Sequence, residues 1–158
     1  MICSNLARDD SGALRFAGQS VPELAARYGT PLYLMDEDRI RSNCRMYRGA
    51  LRKAFGEAAL PLYAGKACAF KQIYRIMNEE GLGVDAVSRG EIHTALEAGF
   101  PAERIWFHGD GKTDADIAYA LERGVGRFIV DGPEELEALN AEAEIGRASC
   151  RERVLPTV

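Results

Sequence analysis

Gly83-Val84-Asp85-Ala86-Val87-Ser88-Arg89-Gly90-Glu91 is a short apolar run that leads straight into a serine suited to capping a helix. The run has counterparts on both sides. Leu60-Pro61-Leu62-Tyr63-Ala64 precedes it, and Ile105-Trp106-Phe107-His108 and Arg127-Phe128-Ile129-Val130-Asp131 follow. The starts at Leu60, Gly83, Ile105 and Arg127 are 23, 22 and 22 residues apart. Between the runs, apolar residues recur at helical spacing. Phe70, Ile73, Tyr74 and Met77 would share one face, as would Ile92, Ala95 and Leu96, then Ile117 and Leu121, then Leu136 and Leu139. Gly81, Gly99 and Gly124 fall where a left-handed C-terminal cap is wanted. Ser88 and Thr113 suit N-caps, and Pro133 suits a first helical turn.

Strand and helix alternating at this period predict βα units with parallel strands. An open doubly wound sheet and a (β/α)8 barrel both fit, and the even spacing without a long crossover favours the barrel. A barrel needs eight units and about 250 residues, whereas four units are visible, so the expected fold is α/β, a partial barrel. Because the runs are apolar throughout, the sheet is expected to be covered on both faces. The N-terminal third differs in kind: a short helix over 21–28, an extended Pro31-Leu32-Tyr33-Leu34-Met35, and a longer helix over 37–55.

Composition bounds the function. The chain has 158 residues, 47% of them apolar, and a net charge of −4 from 20 basic and 24 acidic residues. That mild acidity argues against nucleic acid or an anionic membrane as the main partner. No apolar run approaches the roughly 18 residues of a membrane span, and the first residues lack the layout of a signal peptide. Cys3, Cys44, Cys68 and Cys150 are scattered, without a Cys-x-x-Cys pair. They read as reduced thiols of a cytoplasmic protein.

In parallel βα architectures functional groups gather at the C-terminal ends of the strands. Those ends carry Lys66, then Asp85 and Ser88, then His108, then Asp131. Lys66, between Gly65 and Ala67, is either a solvated lysine opening a loop or a partly desolvated amine able to attack a carbonyl. His108 precedes Gly109-Asp110-Gly111, which is either an ordinary tight turn or a turn whose N–H groups face an anion. Asp85 lies inside an apolar strand and needs a partner. Glu91 opens a helix, where it serves the helix dipole or a site. His93 reads as a surface residue. No phosphate-binding loop, dinucleotide fingerprint or metal-ligand spacing appears.

The strand-end blocks are similar to those of the fold-type III pyridoxal-phosphate decarboxylases, the ornithine/lysine/arginine/diaminopimelate decarboxylase family. Tyr63-Ala64-Gly65-Lys66-Ala67 resembles the cofactor-lysine motif. Gly81 to Glu91, Phe107 to Thr113 and Gly124 to Asp131 resemble the next three blocks, and Tyr28 to Tyr33 the segment entering the barrel. The resemblance runs in order from about Gly18 to Asn140. It implies an alanine racemase-like barrel in which Lys66 holds pyridoxal 5′-phosphate covalently. Asp85, Ser88, Glu91 and His108 are implied as further cofactor-binding residues. The implied reaction is decarboxylation of meso-diaminopimelate to L-lysine by a cytoplasmic homodimer. Ornithine or arginine as substrate, and a non-catalytic cofactor-binding barrel, are the alternatives. The family commonly has Gly where Arg89 stands and Asn-Asn where Asp110-Gly111 stands.

By the same resemblance, residues 1–36 belong to an accessory β domain and 37–143 form the first half of the cofactor-binding barrel. The chain is therefore expected to be a fragment, inactive alone, lacking the family's phosphate-binding and pyridine-nitrogen residues. After Asn140 the apolar period lapses, and Glu144 to Val154 resembles the in-frame translation of a sequencing-library adapter. Residues 144–158 are accordingly expected to be a non-native tail.

Overall fold

The computed structural model describes residues 5–146 and 154–156. It divides into two compact units, Met1–Asn43 and Cys44–Val158. In the first, β1 (Leu6–Arg8), β2 (Leu14–Phe16) and β3 (Gln19–Ser20) form an antiparallel sheet with β2 in the middle. The Asp9 carboxylate organises the β1–β2 turn by accepting the Ser11 and Ala13 N–H groups, each at 3.0 Å. None of these strands is predicted from sequence, because two or three residues are too few for alternation to register. Helix α1 (Val21–Tyr28) begins at Ser20, whose hydroxyl accepts the Glu23 N–H, with Pro22 in its first turn. Helix α2 (Glu37–Phe55) crosses the boundary between the units. Both helices match the predicted ranges.

The second unit contains β4 (Leu62–Ala64), β5 (Gly83–Ala86), β6 (Ile105–Phe107), β7 (Arg127–Val130) and β8 (Val154–Pro156). All neighbours pair in parallel, in the order β4-β5-β6-β7-β8. That sequential order decides between the two predicted architectures. A doubly wound sheet reverses its strand order at a switch point, and none occurs among the described residues. The connecting helices are α3 (Lys71–Glu79), α4 (Arg89–Glu97), α5 (Asp114–Glu122) and α6 (Pro133–Gly146). Ser88 and Thr113 cap α4 and α5 as predicted, Thr113 in a reciprocal box with Asp116. Gly81, Gly99 and Gly124 each follow a helix with φ between 71° and 83°, a region closed to most side chains.

Burial corrects one expectation. Along the strands Val84, Ala86, Ile105, Phe107, Phe128 and Val130 are buried, whereas Asp85, Trp106, Arg127 and Ile129 are only half-buried. The pairing aligns Ala64, Asp85, Trp106 and Arg127 across the half-buried face. The sheet is therefore covered on one face, where Ile73, Tyr74, Ile76, Met77, Ile92, Ile117 and Leu139 complete the core. Arg127 stacks its guanidinium 5.0 Å from the Trp106 ring centre on the other face. Two predicted core positions also move outward. Phe70 is 40% exposed because it precedes α3, and Leu136 is 44% exposed in the first turn of α6.

Helix α6 continues past Asn140, burying Ala143 on the same side as Leu139. Of the predicted tail, residues 147–153, 157 and 158 lie outside the described residues. Val154–Pro156 pairs with β7.

Candidate functional site

Three of the strand-end residues converge. A cavity of about 560 Å³ beyond the ends of β4 to β7 is lined by Lys66, Val87, His108, Gly109, Asp110, Gly111 and Asp131. Lys66 sits in a single 3-10 turn, Gly65–Ala67, that starts directly after β4. Lys66 is exposed, flanked by the small residues Gly65 and Ala67.

The turn beneath Lys66 is tightly specified. Cys68 N–H donates to Gly65 O at 3.1 Å, and the Tyr63 hydroxyl donates to Cys68 O at 2.9 Å. Burial raises the Tyr63 phenol above its ordinary value, reinforced by Cys68, so it stays a neutral donor. Below Gly65 lie the Glu91 carboxylate and the Tyr74 hydroxyl. Tyr74 is fully buried, and its hydroxyl has no hydrogen-bond partner among the described residues. Burial, and after it the Glu91 charge, pushes its ionisation far above the ordinary phenol range. Tyr63, Gly65 and Tyr74 are not among the site residues that the sequence points to. Only their spacing around Lys66 could have hinted at a shared task.

Asp85 has the partner that its place in an apolar strand demands. His108 Nδ1 lies 3.5 Å from Asp85 Oδ1, a separation at which a protonated imidazole pairs with the carboxylate. The backbone fixes this pair, since His108 N–H donates to Ala86 O at 2.8 Å and locks the end of β6 to β5. Gly109 follows with φ 109°, and a side chain there would press on Val87 at 3.3 Å. The glycine is needed for both reasons.

Ser88 and Glu91 do not line the cavity. Ser88 Oγ accepts the Glu91 N–H at 3.2 Å as the cap of α4, and Glu91 Oε2 accepts the Val87 N–H at 3.0 Å. These two bonds shape the β5–α4 turn. His93 is exposed and meets the Tyr119 hydroxyl at 3.0 Å, away from the strand ends. Arg89 is likewise directed to α5, 3.8 Å from Asp116 and over the Tyr119 ring.

Chemically, the cavity offers a free primary amine, an imidazole held against a carboxylate, a second carboxylate at Asp131, and a glycine-flanked turn. An aldehyde-bearing aromatic cofactor fits this donor set, since its carbonyl needs an accessible amine and its ring needs room.

Comparisons with known proteins agree with that chemistry. Residues 37–155 match the family model described as pyridoxal-dependent decarboxylase, pyridoxal binding domain. The chain is 42% identical over 151 residues to a diaminopimelate decarboxylase of Actinosynnema pretiosum subsp. auranticum, covering 96% of this chain and 33% of that protein. It is 41% identical over 138 residues to the diaminopimelate decarboxylase of Staphylococcus aureus (strain COL), covering 85% and 32%. Among solved structures, the diaminopimelate decarboxylase of M. jannaschii in complex with L-lysine superposes with a TM-score of 0.80 at 32% identity. That match covers 90% of this chain and 33% of the other. The lysine/ornithine decarboxylase of Vibrio vulnificus complexed with cadaverine gives a TM-score of 0.71 at 30% identity, covering 87% and 34%. The chain thus spans about a third of the length of the curated relatives it matches.

Proposed function

The chain belongs to the pyridoxal-dependent decarboxylases, and from that membership we propose that it supplies the cofactor-anchoring part of a diaminopimelate decarboxylase, with Lys66 as the anchor. The carrying observation is the position of Lys66, an exposed amine at the C-terminal end of β4 on a cavity shared with His108 and Asp131. Pyridoxal phosphate, when bound, supplies the electron sink for the pair left behind by departing carbon dioxide. This chain's residues would do the holding. Lys66 bonds the cofactor through its amine, and the Asp85–His108 pair orients its ring. Ser88 and Glu91 keep the β5–α4 turn in shape beneath it.

Diaminopimelate as substrate and L-lysine as product rest on the relatives' names and on the L-lysine held by the M. jannaschii enzyme. Similarity to the Vibrio vulnificus lysine/ornithine decarboxylase supports a second reading, in which another basic amino acid is the substrate. The scattered cysteines, without a Cys-x-x-Cys pair, support a cytoplasmic setting, and no helix among the described residues is long and apolar enough to cross a membrane. Assembly as a homodimer, residues 1–36 as part of an accessory β domain, 37–143 as barrel and 144–158 as non-native belong to the same proposal.

The test is borohydride reduction of the chain with pyridoxal phosphate, followed by peptide mapping. The other lysines, Lys53, Lys71 and Lys112, serve as internal controls. Pyridoxyl label should concentrate on Lys66 and vanish from that peptide in Lys66→Ala. Label spread evenly over Lys53, Lys66 and Lys71 would refute the assignment. Assay of the complete gene product with diaminopimelate, ornithine and arginine then distinguishes the substrates.

A further inference from the structure

Lys112 lies just past the glycine turn, and its side chain is only 1% exposed. An ammonium is buried only when its charge and donors are met, and here two carbonyls and one carboxylate meet them. Nζ donates to Gly109 O at 2.5 Å and to Ile129 O at 2.8 Å. Glu135 Oε1 approaches to 2.7 Å as an ion pair, out of line for a hydrogen bond. The Phe107 ring supplies a further face, its centre 5.5 Å from Nζ.

These partners come from three places. Gly109 belongs to the turn after β6, Ile129 to β7, and Glu135 to the first turn of α6. The other Glu135 carboxylate oxygen, Oε2, accepts the Asp131 N–H at 3.5 Å. One ammonium therefore ties together both loops that bring His108, Gly109, Gly111 and Asp131 to the cavity. A neutral side chain of the same length would leave two carbonyls and a carboxylate facing one another with nothing between them.

We propose that Lys112 is the positioning residue of this site, a buried cation that fixes the His108–Gly111 turn and the Asp131 loop at the separation the cofactor requires. The clamp itself stands on the geometry alone, while its purpose rests on the cofactor reading above.

The experiment compares the full chain with Lys112→Met and Glu135→Gln. It reads hydrogen exchange by segment, the melting temperature, and pyridoxyl label at Lys66 relative to Lys53 and Lys71. In Lys112→Met, exchange over residues 108–111 and 130–132 should accelerate by about tenfold or more, while 83–86 and 92–95 keep their protection. Selective label at Lys66 should fall by about tenfold. Glu135→Gln leaves both carbonyl bonds in place, so it should show the same pattern at smaller amplitude, and it carries the test if Lys112→Met does not fold. Uniform acceleration across the unit would reduce Lys112 to a general stabiliser and overturn the proposal. So would free exchange of residues 108–111 in the unmodified chain, or unchanged exchange in both variants. If the unmodified chain shows no selective label yet the exchange pattern appears, the clamp stands and the cofactor reading fails.

Discussion

Glu91 Oε2 occupies the space into which a methyl group on Gly65 would project: an added Cβ would meet that oxygen at 2.6 Å and the Tyr74 hydroxyl at 2.9 Å. The backbone angles of Gly65 lie outside the positive-φ glycines, so what this position requires is room. The turn that carries Lys66 is seated directly on a carboxylate and a phenol, and its height above the sheet depends on both.

Gly65→Ala should destabilise the chain by roughly 1–3 kcal/mol, the usual cost of forcing a methyl group into a packed site. It should also reduce selective pyridoxyl label at Lys66. Thermal melts and peptide mapping measure the two effects, and an unperturbed melt would contradict the close contact.

Tyr74→Phe should be neutral or stabilising, by up to about 1 kcal/mol, because it removes a buried hydroxyl that lacks a partner. Since it also clears one of the two atoms that Gly65→Ala meets, the double variant should lose less stability than the sum of the singles. A loss above about 2 kcal/mol in Tyr74→Phe would mean that the hydroxyl is bonded after all.

Glu80 is buried at the end of α3 and takes two bonds from Arg45, at 2.8 and 2.7 Å. Arg45 is 64% exposed, so solvent screens the pair. Glu80→Gln should therefore cost about 1–2 kcal/mol, less than a fully buried ion pair would lose. Denaturant unfolding gives the value, and an effect near zero would show that the pair is fully screened.

Acid should weaken the cap of α5. The Thr113 hydroxyl bonded to the Asp116 carboxylate holds that group below its ordinary value of 3.8. A depressed carboxylate contributes stability that is complete above the unfolded value and is lost as pH falls through the folded one. Stability should thus decline below about pH 3.8, and Asp116→Asn should flatten that decline. Melts from pH 6 to about pH 2 test this; a parallel acid limb in the variant would assign the loss to other carboxylates.

How much of this was legible in advance follows from the range of each interaction. Helices at 21–28 and 37–55, the caps at Ser88 and Thr113 and the glycines at 81, 99 and 124 depend on residues a few positions apart. They are visible in the spacing alone. The start of β4 at Leu62, the exposure of Phe70 and Leu136, and the three short strands of the first unit depend on what lies across space, and spacing does not report it.

The site divides the same way. Sequence by itself determined the parallel βα repeat and hence the rim on which Lys66, Asp85, His108 and Asp131 fall, because strand polarity sets where a strand-end residue must go. Only the tertiary structure decided which of them meet. Asp85 and His108 are 23 positions apart and Lys112 and Glu135 another 23, and parallel pairing with the helix return brings each pair together. The same packing turned Ser88 and Glu91 beneath the rim and buried Lys112, whose charge gives no sign in sequence of the three oxygens that hold it.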